Sequence, residues 1–320
     1  GSRWTVRDGP HPRASFVRLA RLPRTRWTLL VHGLNLHVPA ADTLLRQFGF
    51  IPYARLDDVL VSYAADGGGV GPHFDSYDVF LLQGEGRRRW RISTRRDRTL
   101  DPRAPHRVLA RFRPEHEWVL APGDMLYLPP GCAHEGTAVG TCTTYSIGFR
   151  APSAQELGTS FLDYLRDNLR LEGMYDDADL RVQRHPAAIP PGMASRVERM
   201  LRPVRFRGTD VRRFLGEYLS APKPQIVFCA PRTPLSGRRF ETAAHSRGVR
   251  LDPRTLLLFD DQRMYVNGEA IVVSVPQRAQ LCALADRRTL GPGAKLPRAL
   301  CGLLHRWYVH GWLLIGASHG

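Results

Sequence analysis

Lysine is almost missing from this chain. Of 46 basic residues only Lys223 and Lys295 are lysines, and the other 44 are arginines spread along the whole length. With 30 acidic residues the formal net charge is +16. Such a surplus invites a nucleic-acid reading. An even scatter of arginine fits a coding bias as well as a selected patch, so nucleic acid is not expected to be the direct substrate. Paired cysteines are missing too. Cys132, Cys142, Cys229, Cys282 and Cys301 contain no C-x-x-C, and an odd number makes a poor disulfide framework. That excludes a disulfide scaffold and a structural zinc knot, and points to a reducing cytoplasm. No apolar run reaches the ~18 residues of a membrane span. The opening "GSRWTVRDGP" has no apolar core of a signal peptide. Gly1-Ser2 has the form of a remnant of expression, which would leave the natural chain beginning earlier. No G-x-G-x-x-G opens a helix, and "GEGRRR" does not qualify. There is no βαβ alternation, internal repeat or low-complexity tract.

What remains is 320 residues, 43% of them hydrophobic, enough for two or three domains with real cores. Up to about residue 150 the chain is β-rich. Runs such as "WTLLVHGL", "DVLVSYA", "DVFLLQ", "RRRWRIS", "DMLYLPP" and "TCTTYSIGF" are bounded by Gly, Pro and Asp, which suggests a sandwich or barrel. The texture then changes. Ser153 with Glu156 forms a capping box, opening a helix with Leu157, Phe161, Leu165 and Leu169 near one face. "MASRVERMLRPV" and "TDVRRFLGEYL" continue a helical region over 151–222, either packed within the chain or used for dimerisation. After a proline-marked linker, residues 223–320 hold paired strands with an Asn267-Gly268 hairpin signal. Two helices and the short strand "WLLIGA" follow. This order resembles a winged-helix module. Its second helix is largely apolar, which favours a scaffold or protein-contact role.

The chemistry is concentrated in "GVGPHFDSYDVFLLQGEGRRRWRIS". His73 and Asp75, two apart on a strand, share a face. Alone, an H-x-D pair is more often solvated or core than metal-binding. His134 in "LAPGDMLYLPPGCAHEG" offers the third ligand. Two histidines and a carboxylate make the facial triad of non-haem Fe(II) oxygenases, with positions left for a chelating co-substrate and O2. The pattern PGD…P…H is that of double-stranded β-helix, cupin-type barrels. 2-Oxoglutarate chelates iron at one end and needs a cation at the other. If Arg87 and Arg89 face solvent, strand alternation turns Arg88 inward. A solvated basic strand explains Arg87 and Arg89 but not an inward Arg88. Cys132 lies close by, either as inert packing or as an oxidation-prone thiol.

These segments, with "YSIGFRAP", resemble the ribosomal oxygenases, a JmjC-type branch of the 2-oxoglutarate dioxygenases. The similarity is greatest to the bacterial branch that hydroxylates an arginine of a large-subunit ribosomal protein. The resemblance implies a mainly β, double-stranded β-helix (cupin/JmjC-like) catalytic domain over 1–150. It further implies a helical dimerisation region over 151–222 and a winged-helix-like domain over 223–320. The family's N-terminal segment is absent or shortened. Fe(II), 2-oxoglutarate and O2 are the expected cofactor and co-substrates. His73, Asp75 and His134 fall on the iron ligands, and Arg88 on the 2-oxoglutarate anchor, where many wider relatives carry lysine. Thr144 and Ser62 fall on polar positions near the co-substrate. The expected partners are a large-subunit ribosomal protein as substrate and a second copy in a homodimer. The expected location is the cytoplasm, with no membrane association.

For an arginyl target, Asp66 in "AADGGGVGPH" is a guanidinium acceptor or a simple Asp-Gly turn, and Tyr77, Asp78 and Glu85 are entrance candidates. A basic substrate and a +16 enzyme repel. Acidic groups at Asp57, Asp58, Asp66 and Asp78 would have to outweigh that repulsion within the ~8–10 Å reach of screened charge. The alternatives are an oxygenase acting on histidine or methyl-lysine, a small-molecule dioxygenase without 2-oxoglutarate, and a non-catalytic cupin-like binding protein.

Overall fold

The computed structural model describes residues 4–9, 11–19, 21–95, 97–104 and 107–316, so Gly1 and Ser2 lie outside the described residues. The chain divides into two units, one running to Ala151 and the other beginning at Pro152. In the first, α1 (Arg13–Leu19), β1 (Thr28–Val31) and α2 (Pro39–Arg46) precede seven strands. These are β2 (Leu56–Ala64), β3 (Val79–Gln83), β4 (Arg87–Ser93), β5 (His116–Leu120), β6 (Met125–Leu128), β7 (Ala133–Val139) and β8 (Cys142–Phe149). A five-stranded sheet has the order β1-β2-β8-β3-β6, and a three-stranded sheet the order β5-β4-β7. Every named pairing is antiparallel.

Strand alternation builds two cores from one strand. On β3, Val79 and Leu81 pack with Trp90 and Ile92 of β4 and Leu128 of β6, between the sheets. Phe80 and Leu82 point the other way, onto Leu45, Phe48, Val59, Ile147 and Phe149. On β4, Arg88, Trp90 and Ile92 are buried while Arg87 and Arg89 are exposed. Arg89 and Arg91 pair across the outer face with Glu117 and Glu135. The odd-numbered arginines are therefore a solvated stripe, and Arg88 is not part of it.

β5 and β7 were not legible as strands. "AHEGTAV" has small and polar residues where a strand should show apolar alternation. The reason is local: Gly136 lies opposite Trp90, and a Cβ there would sit 2.7 Å from the indole ring. The large ring takes the volume that a side chain on β7 would otherwise fill.

The second unit starts with α3 (Ala154–Asn168), whose N-cap Ser153 accepts from the Glu156 N–H at 3.1 Å; the reciprocal half of the capping box is missing, because the Glu156 carboxylate accepts from Tyr218 O–H instead. After α3 come α4 (Pro191–Leu201), α5 (Gly208–Ser220), α6 (Gly237–Arg247) and β9 (Val249–Leu251). A meander of β10 (Leu257–Phe259), β11 (Met264–Val266) and β12 (Glu269–Ile271) follows. The chain closes with α7 (Val275–Arg287), β13 (Thr289–Leu290), α8 (Arg298–Val309) and β14 (Leu313–Ile315). β13, β9 and β14 form a separate three-stranded sheet. Asn267 and Gly268 both have positive φ, 49° and 91°, as a two-residue primed turn requires. Phe240, Leu251, Met264, Leu281, Leu284, Leu300, Leu304 and Trp307 share one core. α5, expected in the helical region, meets the β10–β12 sheet closely: Gly216 leaves no room for a Cβ against the Tyr265 ring.

Gly136→Ala is predicted to destabilise the first unit by about 1–3 kcal/mol through overpacking against Trp90. Thermal unfolding should show the transition falling by several degrees. An unchanged transition would mean that the indole has room to move.

Candidate metal centre

The site begins with a backbone feature. His73, outside the named strands, forms an antiparallel bridge to His134 of β7, with both N–H···O bonds made, at 2.9 and 2.8 Å. Residues exchanging both bonds sit directly opposite and present their side chains on one face. The imidazoles accordingly face each other, with ring centroids 4.3 Å apart. Asp75 follows two residues later, and its backbone carbonyl accepts from Gly131 N–H at 2.7 Å. That bond ties the turn preceding His134 to the H-x-D segment. The ligand atoms of His73, Asp75 and His134 all lie within 4.8 Å of one another.

Hydrogen bonding fixes which nitrogen is available. His73 Nδ1 lies 2.9 Å from the Gly71 carbonyl, and His134 Nδ1 lies 2.9 Å from the Cys132 carbonyl. A carbonyl only accepts, so each Nδ1 carries the proton and each Nε2 keeps its lone pair. Backbone carbonyls that orient ligating histidines in this way are a common supporting layer of metal sites. His134 Nε2 is 3.8 Å from Asp75 Oδ2.

Electrostatics favours a cation here. Burial, with His73 alongside, lowers the His134 pKa to about 4, so the ring is neutral and ready to ligate at neutral pH. Burial raises the Asp75 carboxyl, against the opposing pull of His73 and a hydrogen bond from Tyr77. Burial first, then the charges of Asp75, Asp58 and Asp57, push the Tyr77 phenol up to about 12. Tyr77 therefore stays protonated and donates to Asp75. One divalent ion would satisfy all these groups together, and the donor set of two nitrogens and one carboxylate on one side fits a facial triad.

Arg88 is 3% exposed. Its Nη2 reaches Cys142 Sγ at 3.6 Å, its guanidinium stands 5.7 Å from the Trp90 ring centroid, and its Nε has no partner. No carboxylate pairs with it among the described residues. Arg288, also buried, shows what a structural arginine looks like: it donates to the Thr255 and Asp252 carbonyls at 2.7 and 2.8 Å. A buried guanidinium without such acceptors is costly unless an anion completes it. Arg88 and His134 point into the same interior from neighbouring strands, since Ile92 pairs with His134 and Arg88 with Ala138.

Thr144 and Ser62 are both buried and lie opposite each other on β8 and β2. Gln83, overlooked in the sequence, completes this row from β3, pairing with Thr144 in register. It is 1% exposed, and Thr144 Oγ1 lies 2.9 Å from its Oε1. The signal was present: Val79, Leu81 and Gln83 share a buried face, and the third is polar. Phe74 was overlooked as well. It points away from the ligands and carries the guanidinium of Arg98 at 4.5 Å and that of Arg107 at 5.9 Å.

Asp66 is exposed and accepts from Gly140 N–H through Oδ1 at 2.7 Å, a turn-holding bond. No cation pairs with it among the described residues. The glycines after it press against the chain itself, since a Cβ on Gly68 or Gly69 would meet the Trp27 or Gly136 carbonyl oxygen. Asp57 faces Arg150 at 3.6 Å, and Asp58 accepts from Gly33 N–H. Asp78 is engaged by Arg55 and by Tyr127 O–H, and Glu85 is exposed. Cys132 packs against the inter-sheet core and burial raises its thiol pKa, the behaviour of an inert packing residue.

A folded pKa of about 4 against an unfolded value near 6.5 makes the unfolded chain take up the His134 proton first on acidification. Metal-free protein should therefore lose about 2 kcal/mol from this group between pH 7 and pH 5. Urea midpoints in chelator, compared with His134→Ala, measure it. Equal slopes in the two proteins would contradict a depressed His134.

Residues 43–157 match the JmjC domain family, and residues 204–313, which take in α5, match the ROXA-like winged helix. The chain is 35% identical over 294 residues to the ribosomal protein uL16 3-hydroxylase of Escherichia coli K12, covering 90% of this chain and 76% of that one. It is 39% identical over 158 residues to a probable ribosomal oxygenase of Haemophilus influenzae, covering 48% and 38%. The structure of YcfD, a ribosomal oxygenase from E. coli in complex with cobalt and 2-oxoglutarate, matches with a TM-score of 0.77. There the identity is 29%, over 98% of this chain and 83% of that one. A complex of the same protein with cobalt and succinic acid matches at a TM-score of 0.76. The chain belongs to the ribosomal oxygenases, JmjC-type dioxygenases that depend on Fe(II) and 2-oxoglutarate.

Proposed function

We propose that this chain hydroxylates C3 of an arginine in a large-subunit ribosomal protein, the counterpart of uL16. His73, Asp75 and His134 would hold the iron, and Arg88 the far carboxylate of 2-oxoglutarate. The observation that carries this is the buried Arg88 guanidinium with no protein carboxylate, on the same interior as three clustered metal donors. When bound, Fe(II) with 2-oxoglutarate supplies the activation of O2 and the oxidation of a C–H bond.

The chain's own residues do the positioning. The Gly71 and Cys132 carbonyls hold the two imidazoles with Nε2 inward. Tyr77 donates to Asp75 and steadies the carboxylate. Ser62, Thr144 and Gln83 offer a buried polar row beside the co-substrate. Trp90 and Ile92 give a dry wall between Arg88 and the metal ligands, where charge interactions are strong. On the substrate side, Asp57, Asp58 and Tyr77 lie together near Asp75. Asp57 and Asp58, with Asp66, would supply negative charge for a guanidinium despite the chain's overall surplus, and Tyr77 a neutral hydroxyl.

The three-part division at 150/151 and 222/223 belongs to the same reading, with the helical region as a dimer contact. Its support is exposed apolar surface: Leu162 at 67% and Ile189 at 77%. A cytoplasmic location follows from a ribosomal substrate. No helix among the described residues is long and apolar enough to cross a membrane.

Incubating Fe(II)-loaded enzyme and 2-oxoglutarate with the host's large-subunit proteins tests the substrate. Tandem mass spectrometry should show one added oxygen on an arginine, absent with His134→Ala. Oxygen on a histidine, or loss of methyl groups from lysine, would replace the arginine assignment. No product and no succinate would favour a binding protein.

A further inference from the structure

A coding bias exchanges lysine for arginine but leaves net charge untouched, so it does not explain where the charge sits. Residues 204–313 carry eighteen basic against eight acidic residues, whereas residues 151–203 carry seven against eight. Within the winged-helix region the surplus has a focus on α6. Arg238, Arg239, Thr242, Ser246 and Arg247 border one open cleft of about 450 Å³. All five are exposed. At 100° per residue, Arg238, Thr242, Ser246 and Arg239 fall within an arc of ~100°. Arg247, nine positions after Arg238, falls outside that arc but borders the same cleft from the last turn of the helix, about 13 Å along the axis.

No carboxylate pairs with Arg238, Arg239 or Arg247 among the described residues. Glu241, the one acidic residue of α6, falls outside the arc and bears instead on Cys301 of α8. The back of α6, through Phe240 and Ala244, is locked into the core. The arginines therefore stand on a fixed support. α8, by contrast, spends Leu300, Leu304 and Trp307 in that core.

The chemistry of the face separates two kinds of partner. Protein interfaces are anchored by Trp, Tyr and Arg packed in desolvated pockets, and here the arginines are exposed, no aromatic residue lines the cleft, and Leu235 and Ala243 are its only apolar lining. Guanidiniums interleaved with hydroxyls are what phosphate oxygens take. We propose that the α6 face of the winged-helix region binds the phosphate backbone of RNA. Binding through phosphate stands on the charge and geometry alone. The choice of RNA over DNA rests on the ribosomal reading above.

The test is fluorescence anisotropy of a labelled single-stranded RNA of about 20 nucleotides with the full chain, free of iron and 2-oxoglutarate. Arg238→Ala/Arg239→Ala/Arg247→Ala should weaken binding about tenfold or more at low salt. It should also lower the slope of log affinity against log salt by about 2, at ~0.7 per lost contact. A charge-matched control, Arg24→Ala/Arg87→Ala/Arg113→Ala, removes three exposed arginines of the first unit and should bind nearly as wild type. Equal loss in both variants would overturn a local face in favour of overall charge. Wild-type binding by the α6 variant, or no binding by wild type, would overturn the proposal. Tighter binding to duplex DNA of equal length would overturn the choice of RNA. Because no catalysis is read, failure here leaves the hydroxylase assignment standing, and a failed hydroxylase assay leaves this result standing.

Discussion

The reciprocal backbone bond between His73 and His134 is the constraint on which the site depends. It joins two segments 61 residues apart in the chain, and it does so with geometry that leaves the two imidazoles no choice of face. The surrounding features support that bridge. Gly69 pairs with Thr137 further along the same two segments, and its missing side chain lets the loop close on β7. Gly136 yields its volume to Trp90, which backs the His134 ring with centroids 5.9 Å apart. On the outer side Leu109 N–H reaches the Pro72 carbonyl, and Arg98 covers Phe74. A slip of the bridge by one residue would send one imidazole to the opposite side.

Much of this was legible in the sequence because spacing on a strand is a geometric statement. H-x-D implies a shared face, and three consecutive arginines imply one that differs from its neighbours. The strand that carries His134, β7, was not legible. A strand of Ala, Gly, Glu and Thr shows no apolar period, because its buried positions are kept small for a ring on the next strand. β5 escaped for the opposite reason: its residues are nearly all exposed and carry no inward pattern. Gln83 escaped because a polar residue ending an apolar run reads as the start of a turn. The glycines before His73 make room for the chain's own backbone, a close approach that the sequence does not reveal.

The two buried arginines show how far burial alone misleads. Arg288 and Arg88 are buried to a similar degree. Arg288 donates through both Nη atoms to carbonyls of its own chain. Arg88 is offered a sulfur and an aromatic face, both weak partners for a full charge. Under the proposed function a dicarboxylate would complete Arg88, and a cation the three donors clustered in the same interior.

The most direct measurement is calorimetric titration of 2-oxoglutarate and of 2-oxobutyrate, which lacks the distal carboxylate, into the Co(II)-loaded protein and its Arg88→Ala variant. If Arg88 receives that carboxylate, the wild type should bind 2-oxoglutarate at least about tenfold more tightly than 2-oxobutyrate. The variant should bind the two alike. Discrimination retained in full by Arg88→Ala would contradict the assignment and place the anion's partner elsewhere in the barrel.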